Sequence, residues 1–263
     1  MTTMEQMHGR YALVTGGSTG IGAAIARALA RRGAHLVLVA RDQSRLEQTA
    51  ARLRSDHDVT VLTFALDLAE VGAVSRLVRD VEDAGIELEL LVNSAGMSSR
   101  GFVAASDPGA LRRLVDLNVG ALTELSTVMA AQMTTRGHGS IVNIASTGAY
   151  APAPVLAVYA ASKAYVLSFT QALWAETKDA GVRVVVVSPG PTQTPMNHAG
   201  ARGKRHPDQV ADTVLSALDR TAPAVVDGAR NTVTAAVIRL LPTRLMAGLA
   251  LRALRPGDTV SAG

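Results

Sequence analysis

Tyr159 and Lys163 stand four residues apart in a stretch, Val155 to Ala180, whose pattern is helical. Residues i and i+4 share a helix face, so a phenol and an ammonium would point into the same space. A phenol of pKa ~10 exchanges its proton near neutral pH only if its anion gains ~4 kcal/mol, and a close cation is the direct source of that energy. The pair therefore reads as a proton donor, with Lys163 making Tyr159 acidic. Such a spacing arises by chance in roughly one chain in twenty of this composition, and the competing reading is a solvated surface pair. Neighbours must decide. Ser146 ends an apolar run and could donate to a carbonyl oxygen where negative charge grows, or simply cap a turn. Asn118 is a poor helix former late in a helical segment that begins near Ala110, which points to a bond it must make.

The elements that would position these residues are short apolar runs separated by helix-length segments. The runs are Tyr11–Thr15, His35–Ala40, Val59–Leu66, Leu88–Asn93, Ser140–Ala145, Val182–Ser188 and Ala224–Val226. Several are continuously hydrophobic, as in strands buried on both faces. The repeated β-α-β pattern predicts an α/β fold, a three-layer doubly wound parallel sheet of about seven strands. Ligands bind such a sheet outside the carboxyl ends of its strands, and Ser146 follows the fifth.

Other strand ends carry a second signal. Gly16-Gly17-Ser18-Thr19-Gly20-Ile21-Gly22 follows the first run and opens a helix. Glycines there let the backbone approach a pyrophosphate and present it to helical N–H groups, although such a turn can also just pack a helix against a strand. Gly16, Gly20, Ile21 and Gly22 are thus expected around the phosphates. Ala40 and then Arg41 end the second run, where a carboxylate would recognise the 2′-hydroxyl of NAD. A guanidinium forking onto a 2′-phosphate is worth ~1.5–3 kcal/mol, roughly a ten- to hundredfold preference for NADP. Ser18 and Thr19 would add hydroxyl donors, while Asp42 could neutralise Arg41 or cap the next helix. Asp67 and Leu68 follow the third run, where Asp67 could accept the adenine amino group or cap a helix. Asn93-Ser94-Ala95-Gly96 follows the fourth, with Asn93, Ala95 and Gly96 against the adenosine ribose. Pro189-Gly190-Pro191-Thr192-Gln193-Thr194 follows the sixth as a rigid turn able to close over a nicotinamide.

Composition narrows the field. The chain has 263 residues, 48% of them hydrophobic, which suits one domain. It has no cysteine, excluding disulfides and thiolate metal sites, and nothing at its start reads as a secretory signal. A cytoplasmic location is expected. A formal charge of +4 from scattered arginines and 3% aromatic residues argue against nucleic acid. The six histidines lack ligand spacing, so no metal is expected. Met129 and Met133 read as core-facing, and Glu82, Asp83, Glu87 and Glu89 as a solvated edge.

Taken together, these motifs resemble the short-chain dehydrogenase/reductase family from Tyr11 to about Met196, in its NADP-preferring ketone and ketoacyl reductase-like branch. The quoted features are T-G-x-x-x-G-x-G, Asp67, the Asn93 segment, Asn118, Ser146 thirteen residues before Tyr159, Y-x-x-x-K and P-G-x-x-x-T. The resemblance implies a Rossmann fold and hydride transfer between NADP(H) and a ketone, aldehyde or secondary alcohol. It implies Tyr159 as general acid/base and Lys163 on the nicotinamide ribose. It also implies Ser146 on the substrate carbonyl, Asn118 holding a water that relays protons, and Thr194 beside the nicotinamide. Ser94 replaces a second asparagine common in the family, and the C-terminus departs from the acyl-carrier ketoacyl reductases. An intact Asn118, Ser146, Tyr159 and Lys163 set argues against a silent NADP-binding sensor or scaffold, and the close Tyr–Lys spacing against an enoyl reductase.

The whole chain, 1–263, is expected to be one domain, with a loose tail at 1–9, a substrate lid at 195–206 and a C-terminal amphipathic extension at 233–263. The substrate pocket is expected between Met97, Gly148, Ala149, Tyr150, Pro191 and Met196, with Gly200, Gly203, Lys204 and Arg205 in a mobile lid. No apolar run is long enough to span a membrane. A final helix would put Leu245, Met246, Leu249, Ala253 and Leu254 opposite Arg244, Arg252 and Arg255. Docking on protein in a homodimer or homotetramer is the favoured use, with peripheral contact to an anionic membrane as the alternative.

Overall fold

The computed structural model describes residues 7–197 and 203–254. Seven strands form a single all-parallel sheet in the order β3-β2-β1-β4-β5-β6-β7. They are β1 (Tyr11–Thr15), β2 (His35–Ala40), β3 (Val61–Ala65), β4 (Leu88–Asn93), β5 (Gly139–Ile144), β6 (Val182–Ser188) and β7 (Ala224–Val226). This is the Rossmann-type doubly wound sheet that the apolar runs predict. Successive strand residues face opposite sides, and the core divides accordingly. Ala12, Val14, Leu36 and Leu38 pack with helices α1 (Gly20–Ala30), α2 (Gln43–Asp56) and α7 (Pro207–Leu218). Leu13, Val37 and Val39 pack on the other side with α3 (Ala73–Asp83), α5 (Leu122–Arg136) and α6 (Ala157–Thr177). Met129 and Met133 lie in this second layer.

One helical run departs from expectation. α4 (Pro108–Val115) passes without a break through a π-helical turn, Asp116–Ala121, into α5. Asn118 therefore sits in the middle of a continuous run, in a wider turn than an α-helix provides. Such turns are uncommon and recur at functional positions. The run is apolar and long enough to cross a bilayer by composition. Here that apolarity is spent on the sheet, with Leu117, Ala121, Leu125, Met129 and Met133 in the core.

The chain start also corrects a reading. Residues 1–6 lie outside the described residues, but Met7 belongs to the core and Gly9 N–H donates to Gly33 O at 2.8 Å. Glu89 is likewise no surface group: it is buried and bonded to His138 Nδ1 at 3.0 Å.

At the first crossover the chain has no room for a side chain. A β-carbon on Gly22 would stand 2.2 Å from Gly16 O, so the first turn of α1 lies directly on the loop that precedes it. Gly22→Ala should cost ~1–3 kcal/mol through this clash and lower Tm by roughly 2–6 °C. Differential scanning calorimetry measures it, and an unchanged Tm would mean the loop gives way freely.

Candidate active site

β1 and β4 end beside each other, and a cleft of about 520 Å³ opens over their carboxyl ends. Gly16, Ser18, Thr19, Ala40, Arg41, Asp67, Leu68, Ala95 and Gly96 line it. The loops are held in place by Thr15, whose Oγ1 accepts from Ser94 and Ala95 N–H at 3.0 Å each. Thr19 is the N-cap of α1 but makes no side-chain cap bond, so no side chain caps the helix end beside the cleft. Thr194 lies over Gly20, with its Cγ2 3.2 Å from where a β-carbon would stand, and brings the turn after β6 onto the glycine loop. Both the uncapped helix end and the close backbone packing suit an anionic, flat dinucleotide.

The charged residues around the cleft sort differently from expectation. Asp42 does not neutralise Arg41: it caps α2 through Arg45 N–H and pairs with the Arg45 side chain at 3.1 Å. Arg41 is exposed and makes no ion pair among the described residues. Arg45, one turn further along α2, lines the same cleft. The sequence reading passed over it, although its spacing of four from Arg41 was the available signal. Leu117 is a second lining residue it missed. Asp67 does not cap α3, whose N-cap is Gly72. Its Oδ1 accepts from Ala69 N–H at 3.0 Å and its Oδ2 pairs with Arg113. Each oxygen keeps a second lone pair for an adenine amino group. The Asn93 side chain donates to Asn143 Oδ1 at 2.9 Å and Ser126 Oγ at 3.0 Å, inside a buried polar network continued to Thr170, and so braces β4 against β5, which leaves its backbone as the part able to meet a ligand.

Beyond β5 the proton-transfer candidates converge. Ser146 is the N-cap of the short turn Thr147–Tyr150, with its Oγ accepting from Gly148 N–H at 3.1 Å. The capping and site readings thus apply together, because the same side chain also stands near the Tyr159 phenol and acts to lower its pKa. α6 delivers Tyr159 and Lys163 after Val155, whose φ of 61° is strained for a β-branched residue. Lys163 Nζ is buried, donates to Ile144 O at 2.9 Å and lies 6.0 Å from the Tyr159 ring centroid.

Burial governs both groups. It raises the Tyr159 pKa above the ordinary phenol value, with the Ser146 hydrogen bond opposing, and pushes Lys163 down to about 8. The expectation that Lys163 makes the phenol acidic is corrected accordingly: with the cleft as it stands, Tyr159 is held neutral. Asn118 is also rearranged. Its Oδ1 accepts from Met97 N–H and its Nδ2 donates to Met97 O and to Ser162 Oγ, at 2.9, 2.9 and 3.0 Å. A side chain so engaged positions the loop after β4 against α6. A β-carbon on Gly96 would come within 3.3 Å of Asn118 Oδ1 and 3.5 Å of Lys163 Nζ, which keeps that side of the cleft open.

The substrate side is partly as expected. Gly148 faces Ser146 and Tyr159, and Met97 is half-buried. Pro191 and Met196 are exposed. Ala149 and Tyr150, however, pack on the core around Leu122 and Val166, and the Tyr150 hydroxyl meets Ser188 Oγ at 3.1 Å. Pro189 O accepts from Thr147 N–H at 2.8 Å, Gly190 abuts Asn231, and Thr192 Oγ1 donates to Gly190 O at 2.9 Å. Of the expected lid, residues 198–202, including Gly200, lie outside the described residues. Its two flanks are joined: Arg205 N–H donates to Pro191 O and Gln193 N–H to Arg205 O, both at 3.0 Å. The Arg205 side chain lies 2.7 Å from the buried Asp227 carboxylate, close but off-axis for a hydrogen bond. No metal was expected; ligand-type atoms of Glu87, Glu89 and His138 do gather within 4.8 Å, at the amino-terminal ends of β4 and β5, away from the cleft.

The family profile described as short chain dehydrogenase matches residues 10–204. The chain belongs to the short-chain dehydrogenase family. An uncharacterized oxidoreductase of Staphylococcus saprophyticus is 35% identical over 82% of this chain and 94% of its own. A short-chain dehydrogenase from Sphingobium yanoikuyae, solved with NADPH, is 31% identical with a TM-score of 0.80, covering 97% of this chain and 98% of its own. A 3-ketoacyl-(acyl-carrier-protein) reductase from Brucella melitensis, solved with NADH, is 28% identical with a TM-score of 0.77, covering 86% and 99%. Short-chain dehydrogenases of both dinucleotide types thus share this fold.

The buried lysine gives this short-chain dehydrogenase a stability signature. The charged form is disfavoured in the folded state, so the cost is full below pH 8 and fades as pH rises from about 8 toward the unfolded value of 10.5. Lys163→Met should therefore raise Tm by roughly 2–6 °C at pH 7, allowing for the partner lost by Ile144 O, with the gain shrinking above pH 8. Thermal melts across pH 6–10 test this; a destabilised variant at pH 7 would contradict it.

Proposed function

We propose that this chain is an NADPH-dependent carbonyl reductase in which Tyr159 gives the proton. The observation that carries the reading is the convergence of Ser146, Tyr159 and buried Lys163 at the carboxyl end of β5, next to a cleft fitted to a dinucleotide. NADPH, when bound, supplies the hydride that forms the new C–H bond. As the carbonyl π electrons move onto oxygen, the Tyr159 phenol forms the O–H bond, and the product is an alcohol. A neutral phenol is the form that can donate, and burial maintains it through neutral pH. The Ser146 hydroxyl holds the same oxygen where charge accumulates. Lys163 stands behind the tyrosine as the cation that stabilises a phenolate once the proton has left. Asn118, through Met97 and Ser162, keeps the loop and helix in register.

Preference for NADPH rests on Arg41, an unpaired guanidinium at the end of β2, with Arg45 a turn away and no carboxylate at Ala40. The Sphingobium relative solved with NADPH supports it, and the Brucella relative solved with NADH makes it a matter for measurement. The substrate is a ketone or aldehyde, with the reverse alcohol oxidation available, in a site bordered by Met97, Gly148 and Pro191.

Tyr159→Phe should abolish NADPH oxidation against a panel of ketones, steroids, quinones and acyl thioesters. NADPH affinity, followed by fluorescence titration, should stay within about twofold. An active Phe variant would sink the assignment. Arg41→Ala should reduce the NADPH-over-NADH ratio of kcat/KM roughly ten- to hundredfold, the worth of one charge-assisted phosphate contact; an unchanged ratio removes Arg41 from recognition.

A further inference from the structure

Helix α8 (Ala229–Leu240) is inserted with one face and bare on the other. Ala235 is buried, and Asn231 and Ile238 are half-buried on the same side. Opposite them, Ala229, Val233, Ala236, Val237 and Leu240 form one exposed stripe, with Val233 64%, Val237 50% and Leu240 86% exposed. A helix of a protein in water ordinarily turns such a stripe inward. The following helix, α9 (Thr243–Leu254), makes no extended contact with any other described element. Its Arg244 and Arg252 are exposed on one side, while half-buried Met246 and Ala250 lie on another.

Charge says what this surface fits. From Ala229 to Gly257 there are five arginines and no aspartate or glutamate. The helical period puts Arg230 on one border of the α8 stripe, beside Val237. Exposed Arg230, Arg244 and Arg252 make no ion pair among the described residues. We infer that α8 and α9 form a docking surface for an anionic lipid bilayer. The apolar stripe enters the acyl boundary and the arginines meet lipid phosphates. A second copy of the chain fits less well. Two-fold pairing would place arginine against arginine with no acid between them. The stripe alone also falls short of the ~800 Å² per partner that stable dimers bury.

Position gives the docking a purpose. α8 packs on the Thr147–Tyr150 turn, and Asn231 lies against Gly190. The bilayer would therefore meet the protein at the end where a carbonyl substrate enters, which rests on the reduction proposed above. The docking itself does not.

Vesicle co-sedimentation of the full chain tests it with two compositions, pure phosphatidylcholine and phosphatidylcholine with 30% phosphatidylglycerol. Binding is expected to the anionic vesicles, roughly tenfold or more above neutral ones, and to fall in 0.5 M salt. The triple variant Val233→Ser, Val237→Ser, Leu240→Ser should lose this binding with unchanged NADPH affinity and Tm, since all three side chains are exposed. Arg230→Gln with Arg244→Gln and Arg252→Gln should lose the preference for anionic lipid. Failure of the wild type to bind either vesicle overturns the proposal, as does equal binding to both. A shift in mass by light scattering for the serine variant would assign the stripe to a second copy instead. Ketone reduction measured in solution reports separately on the catalytic reading.

Discussion

The arrangement of the site turns on one amine. Lys163 Nζ is shut away from water with Ile144 O as its hydrogen-bond partner, and the burial that depresses its pKa is the same burial that raises that of Tyr159. A buried amine is tolerated only where nearby groups are polar, small and fixed. Asn118 and Gly96 satisfy those conditions, one by bonding both sides of the gap and the other by staying out of it. The π turn then follows from the geometry. It brings a short amide side chain across to α6 while the helix on either side remains packed on the sheet.

The strand ends provide the rest. Parallel strands buried on both faces fix their neighbours' registers, so residues immediately beyond them inherit that rigidity. Thr15 joins the ends of β1 and β4, Thr147 joins the turn after β5 to the turn after β6, and Thr194 joins the latter to the glycine loop. The cleft and the Ser146, Tyr159 and Lys163 cluster are thus one framework. The apolar α8 face is outside it, connected through Gly190 and Asn231.

Much of this was legible from residue types. Five strands, β1, β2, β4, β6 and β7, begin and end where apolar runs do, and in the first four burial on both faces leaves no alternating pattern to misread. The locations of Arg41 in the cleft and of Ser146 near Tyr159 follow from their places after strands. Three features were hidden for physical reasons. The π turn uses Asp-Leu-Asn-Val-Gly-Ala, a sequence with helical periodicity on both sides, and one extra residue per turn leaves no compositional mark. Asn93 ends a strand as a ligand-binding residue would, but only the position of Asn143 on the neighbouring strand shows where its amide is spent. Tyr159 was read as acidified because four-residue spacing reports proximity to Lys163 and says nothing of dielectric.

The paired flanks of the substrate segment have a separate consequence. Pro191 to Gln193 and Arg205 are held together by two backbone hydrogen bonds, and the Arg205 side chain is anchored over Gly228 by Asp227. The chain between them is a closed ring sealed at its neck. Ring closure grows only with the logarithm of length, ~0.6 kcal/mol for a doubling. Residues can therefore be added to or removed from that ring at little thermodynamic expense, and the neck keeps the change from reaching the sheet. The length of that ring and the geometry of the strand ends are in this way separately evolvable within one polypeptide.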